Sequence, residues 1–189
     1  MRAPIPILAG AGLAGAASGL RSQIGLAAVS MSAPRTLDPR PGPLALLARR
    51  PVRAATATAA LGELVADKLP QTPSRLGAPG LIPRVVLGAL AATALAARSG
   101  RDEGGDRSDT FDGRDHQARP AVPAATLAAA AVLGGGAAAG AAFAGAWWRL
   151  TAGQYGRPDW PAAVIEDALA VALVRTGCSL AAGRSRTAG

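Results

Sequence analysis

Cysteine occurs once in these 189 residues, at Cys178, and histidine once, at His116. A single thiol excludes an intrachain disulfide and any cysteine-rich metal site. The histidine lies in a polar connector, where a solvated side chain is the simplest reading. Aromatic residues make up only 3%, too few for the aromatic-anchored core of a soluble domain this size. Lysine is nearly missing too: Lys68 stands alone against nineteen arginines. No GxxxxGK[ST] phosphate loop occurs, and no cofactor is expected. The net charge is +8, but the arginines flank apolar runs instead of forming one basic face. That sets nucleic acid aside as a partner.

What the chain has in quantity is alanine, glycine and proline. Five apolar segments, about 5–31, 54–69, 82–97, 121–148 and 161–181, alternate with arginine-rich connectors. Runs of this length with few charges predict transmembrane helices, where glycine is commoner than in soluble ones. The expected fold is all-α: an integral membrane bundle of about five spans, some short or broken, with the lipid bilayer as its surroundings. An alanine-rich soluble helical protein is the alternative. The segregation of charge into connectors argues against it. A signal peptide would explain an apolar run after Arg2, yet the run continues past Arg21 through "IGLAAVSMSA" and is too long for an h-region. The second and third segments rise only about 24 Å and need extension or thinning to span. Residues 98–120, with five arginines and six acids, have the composition of a disordered loop. "PLALLARRPVR" in the connector before the second segment suits a membrane surface.

The arginines also predict a topology. The connector after the first segment, the long polar loop and the tail hold twelve of them on one side of a five-span chain, against five on the other. The positive-inside bias then places the N-terminus outside and the C-terminus in the cytoplasm. Trp147, Trp148, Tyr155 and Trp160 cluster at the junction of the last two segments, as amphipathic rings do at the headgroups. Two GxxxG pairs, Gly15 with Gly19 and Gly136 with Gly140, predict close helix packing within the chain or between copies in a homo-oligomer.

Against this background the charges inside apolar segments stand out. Thr56, Ala60, Glu63 and Asp67 share one helical face, with Lys68 beside it. Glu166 and Asp167 fall one to two turns into the last segment, and Arg21 is the sole charge of the first. Helical rise from the cytoplasmic end puts Arg21 and Glu63 near the midplane, beneath Asp67, Lys68, Glu166 and Asp167. Ionisable groups at such depth face a protein interior or a wet cavity and pair there. Two positive charges against four negative ones define a candidate site for a cation, a proton or a solute. A plainer reading stands beside it. Asp67 and Lys68 precede Pro70 and suit a helix end, and acids in a helix's first turns favour its dipole.

"SGLRS", "GELVADKLPQTPSR" and "PDWPAAVIEDALAV" together resemble a family of small bacterial membrane proteins, domain of unknown function forty-one twenty-six. Its ELxxDKxP and EDxLA elements mark Ser18, Gly19, Arg21, Glu63, Asp67, Lys68, Pro70, Glu166 and Asp167 here. The resemblance implies a multi-pass membrane protein and no particular activity. The functional expectation is a small channel or transporter with a buried acidic cation or proton site. The alternative is a glycine-packed membrane scaffold with paired charges. A headgroup enzyme using Glu63 or Asp67 ranks third, for want of a nucleophile–histidine pair.

Overall fold

The computed structural model describes residues 5–32, 43–66, 77–102, 122–153 and 160–182. These residues form seven α-helices: α1 (Ile5–Leu20), α2 (Ile24–Ser32), α3 (Pro43–Ala48), α4 (Arg50–Ala66), α5 (Ala78–Asp102), α6 (Ala124–Gly153) and α7 (Trp160–Ala181). The charged stretch from 98 is therefore helical as far as Asp102, and the rest of the expected loop lies outside the described residues.

The first apolar segment does not run on as one helix. It breaks after Leu20, the Ile24 amide bonds the Arg21 carbonyl, and α2 returns antiparallel along α1. Gly25 there meets Ala14 and Ser18, with no space for a Cβ between them. Only a residue without a side chain lets two backbones come so near. The expected single traverse of 5–31 is thus a helical hairpin. Its turn falls at Arg21, Ser22 and Gln23, the one polar interruption of the segment.

The hairpin tip defines an upper end, and side-chain pairings give the direction of every longer helix. Ser30 of α2 meets Thr56 of α4, and Glu63 reaches Ser22 and Gln23, so α4 ascends. Arg84 near the start of α5 lies by Glu63, while Arg98 near its end donates to Ser32, so α5 descends. α6 ascends beside α1, with Gly15 against Gly134 and Gly19 against Ala138. α7 descends: Asp167 meets Arg21 at the top, and Gly177 and Ala181 meet Gly10 at the bottom. Ile5 and Ala181 therefore lie at the same end of the bundle. A five-span chain would put these two helix ends at opposite ends of the bundle; the return of α2 along α1 is what brings them together.

The central helix is α1, which packs against α5, α6 and α7. Its neighbours approach through small residues: Ala11, Ala14, Ala17, Ala92, Ala130, Ala138 and Ala170 are all fully buried. Gly88 of α5 completes the contact, since a Cβ there would stand 2.6 Å from the Ala138 Cβ. Of the two sequence GxxxG pairs, Gly15 and Gly19 serve this junction. Gly136 and Gly140 do not, for both face outward with nothing within 4 Å. Their neighbours Gly134 and Ala138 take the contact instead. Glycine spacing alone did not indicate which side of α6 turns inward.

Size is distributed the opposite way from a soluble domain. Trp147 is 71% exposed, Val132 74%, and Leu61, Ile82, Phe143, Leu150, Val164, Ile165 and Leu169 are exposed as well. The largest fully buried side chain is Arg21. Two helices, α5 over Ala78–Ser99 and α6 over Ala124–Thr151, are long and apolar enough to cross a membrane.

Candidate functional site

Six charged side chains from α1–α2, α4, α5, α6 and α7 gather round the hairpin tip. Arg21, 1% exposed, donates from Nε to Asp167 Oδ1 of α7. One residue earlier in α7, Glu166 is 3% exposed and accepts from Arg149 Nε of α6 at 2.7 Å. Gly145 makes room for that carboxylate: a Cβ would lie 3.1 Å from Glu166 Oε1 and 3.3 Å from Leu20 Cδ2. Glu166 is thereby wedged between α6 and the last residue of α1.

Glu63 has a different task. Its two oxygens accept from the backbone amides of Ser22 (2.9 Å) and Gln23 (3.0 Å). Those amides belong to the break, where no preceding turn supplies carbonyls, and the start of a helix leaves such donors open. A carboxylate there answers both the open N–H groups and the positive end of the α2 dipole. Arg84 Nη2 stands 3.4 Å from Glu63 Oε1, and its Nη1 donates to the Gly80 carbonyl at 2.7 Å. Thr56, Ala60 and Glu63 all turn towards the bundle, Thr56 being buried. Thr56 meets Ser30 Oγ at 3.0 Å.

Of the six residues singled out in the sequence, Arg21, Glu63, Glu166 and Asp167 thus converge on residues 20–23. Asp67 and Lys68 lie outside the described residues. The expected two-tier depth, with Arg21 and Glu63 beneath the rest, does not hold. Arg21 and Asp167 are in contact, so they share one level at the upper end. The midplane estimate assumed one span through 5–31, whereas α1 alone climbs about 24 Å before Arg21.

Sequence reasoning missed Arg84 and Arg149 as members, having counted both as flanking charges. Their sequence setting holds only a hint: Arg84 lies inside one apolar run, and Arg149 ends another, one turn after Gly145 on the same face. Their inclusion changes the charge sum. Arg21, Arg84 and Arg149 face Glu63, Glu166 and Asp167, three against three. The negative excess that would have favoured a cation is absent from the described layer. No group of three or more metal-ligating side chains occurs among the described residues.

These features define a class: an all-helical bundle with a small-residue core, closed at one end by a layer of buried ion pairs. Residues 7–181 match the family described as Domain of unknown function (DUF4126), and the chain belongs to it. Neither a curated protein nor a solved structure matches the chain.

Proposed function

We propose that this chain is a multi-pass membrane protein whose intramembrane charges are paired to hold a helical hairpin at the centre of the bundle. One observation carries the reading: large apolar side chains face out, while alanine, glycine and paired charges fill the interior. In water that arrangement would expose far more contiguous apolar surface than a soluble monomer carries. In lipid it costs nothing, and small residues are what let helices pack there. The tryptophans at the upper ends of α6 and α7, Trp147, Trp148 and Trp160, support a headgroup level beside the ionic layer. The lower end is then cytoplasmic, because the connectors joining helices there hold most of the arginines. Ile5 of α1 and Ala181 of α7 belong to that side.

Pairing is tested by a double-mutant cycle on Arg149 and Glu166, read as thermal unfolding in detergent. Glu166→Leu alone takes the carboxylate away from the half-buried Arg149 guanidinium and is expected to cost up to about 3–5 kcal/mol. Arg149→Met with Glu166→Leu should recover most of that loss. A loss in the double variant equal to the sum of the Arg149→Met and Glu166→Leu losses would mean that the two charges do not act as a pair.

A second reading, a small channel or transporter, is favoured by the broken helix at the charged layer and by the access that remains to it. Asp167 is 26% exposed by side chain, Arg149 16% and Glu63 14%. Interrupted helices with charges at the break are common at transport sites. On this reading the charge balance points to a solute that is itself neutral or zwitterionic, in place of a bare cation. Flux of such solutes into proteoliposomes, lost in Asp167→Asn, is the measurement that would separate it from the scaffold.

A further inference from the structure

The helices of the bundle are not all held alike. α1, α5, α6 and α7 interlock through alanine and glycine at backbone contact. Among the described residues, the backbone of α4 comes alongside only α2 and α3. Thr56 is the one buried residue among the α4 side chains described, and Leu61 and Val65 are exposed. A Cβ at Gly62 would meet nothing within 4 Å.

What fastens α4 is polar. Glu63 accepts from Ser22 N and Gln23 N and faces Arg84, Thr56 meets Ser30, and Arg53 Nη2 donates to the Met31 carbonyl at 2.7 Å. In lipid, separating apolar helix faces is nearly free because acyl tails replace the lost contacts. Polar bonds then carry most of the attachment, and three of them converge on Glu63. A hinge is also present. A single non-helical residue, Arg49, divides α3 from α4, and Pro51 follows with no N–H to tie the first turn back.

We propose that α4 is a hinged strap: it swings about Arg49–Pro51 away from α2, with Glu63 as its catch. Release uncovers the hairpin tip, where the Ser22 and Gln23 amides and Arg84 would otherwise be covered by the Glu63 carboxylate. The idea rests on the membrane reading for its energetics. It holds whichever of the two functional readings is right.

Spin-label distance measurements on protein reconstituted in bilayers test it, in a Cys178→Ser background. One label pair sits at Ala59→Cys and Ala172→Cys, both at exposed positions on α4 and α7. A control pair sits at Val86→Cys and Leu133→Cys, exposed on α5 and α6. Glu63→Gln leaves one neutral acceptor, of roughly half the strength, and turns an NH2 donor toward the other backbone amide. A second, longer α4–α7 distance is expected to grow by roughly tenfold in population. The α5–α6 distance should not change. Cross-linking Ser30→Cys to Thr56→Cys should abolish the longer distance in the same variant. An unchanged α4–α7 distance in Glu63→Gln overturns the strap, as does equal broadening of the control pair, which reports general loosening. Should Glu63→Gln not fold, Thr56→Val cuts the Ser30 bond, together with the bond of Thr56 to the Arg53 carbonyl inside α4, and it must move the α4–α7 distribution the same way to a lesser extent. No shift there also overturns the proposal. A chain that fails to enter bilayers overturns both the strap and the membrane reading, whereas a rigid α4 in reconstituted protein overturns the strap alone.

Discussion

Ser18 shows how tightly the hairpin is closed. It is fully buried, its Oγ has no hydrogen-bond partner among the described residues, and it presses on Gly25 of the returning helix. A buried hydroxyl without a partner costs roughly 1–3 kcal/mol in desolvation. Ser18→Ala is therefore expected to leave thermal stability unchanged or to raise it. Gly25→Ala should do the reverse. Its methyl would meet Ser18 Oγ and stand 2.8 Å from the Ala14 carbonyl, an overpacking of about 1–3 kcal/mol or more. Melting temperatures of the two variants against the parent decide both points. A harmless Gly25→Ala would mean that α2 does not lie against α1 as described.

Among the elements, α6 gives the sharpest contrast, because one helix carries glycines with opposite surroundings. Gly134 is enclosed by Gly88 and Ala92 of α5 and by Gly15 of α1, while Gly136 is open. Gly134→Val should drive three helices apart and leave little folded protein on size-exclusion chromatography. Gly136→Val should be tolerated, and in lipid even replace a poor helix former. The helices themselves were legible in the sequence from apolar runs and connector charge. The reversal after Leu20 was not: an interrupted run of twenty-seven residues fits one tilted span as well as two short helices. Only the antiparallel contact of Gly25 with Ala14 decides it, and that contact is tertiary. The four charged members found in advance betrayed themselves as acids or an arginine where alanine prevails. Arg84 and Arg149 looked like ordinary flanking charges, because burial by other helices is not written in a residue's own neighbourhood.

For the whole molecule, the testable consequence is geometric. With α1 and α2 forming a hairpin, the described N-terminal and C-terminal helix ends lie together, and tags placed at either terminus should be reached from the same side. Protease or impermeant-label accessibility in oriented vesicles is expected to show both tags protected in right-side-out preparations. One tag protected and the other exposed would restore the five-span arrangement. The outward belt of Leu61, Ile82, Val132, Phe143 and Trp147 further predicts that the protein resists extraction by alkaline carbonate and needs detergent to leave the membrane fraction.

The contact of Arg21 with Asp167 spans 146 positions of sequence, and so it also has a timetable. The helix that ends at the centre leaves the ribosome well before the helix that carries Asp167. Until α7 arrives, Arg21 lacks its bond to Asp167. On the membrane reading the early hairpin is then expected to keep its charged tip at the headgroups until α7 is made. Chains released short of α7 would lack the Arg21–Asp167 bond at the hairpin tip, a mark by which quality control could distinguish unfinished copies from finished ones.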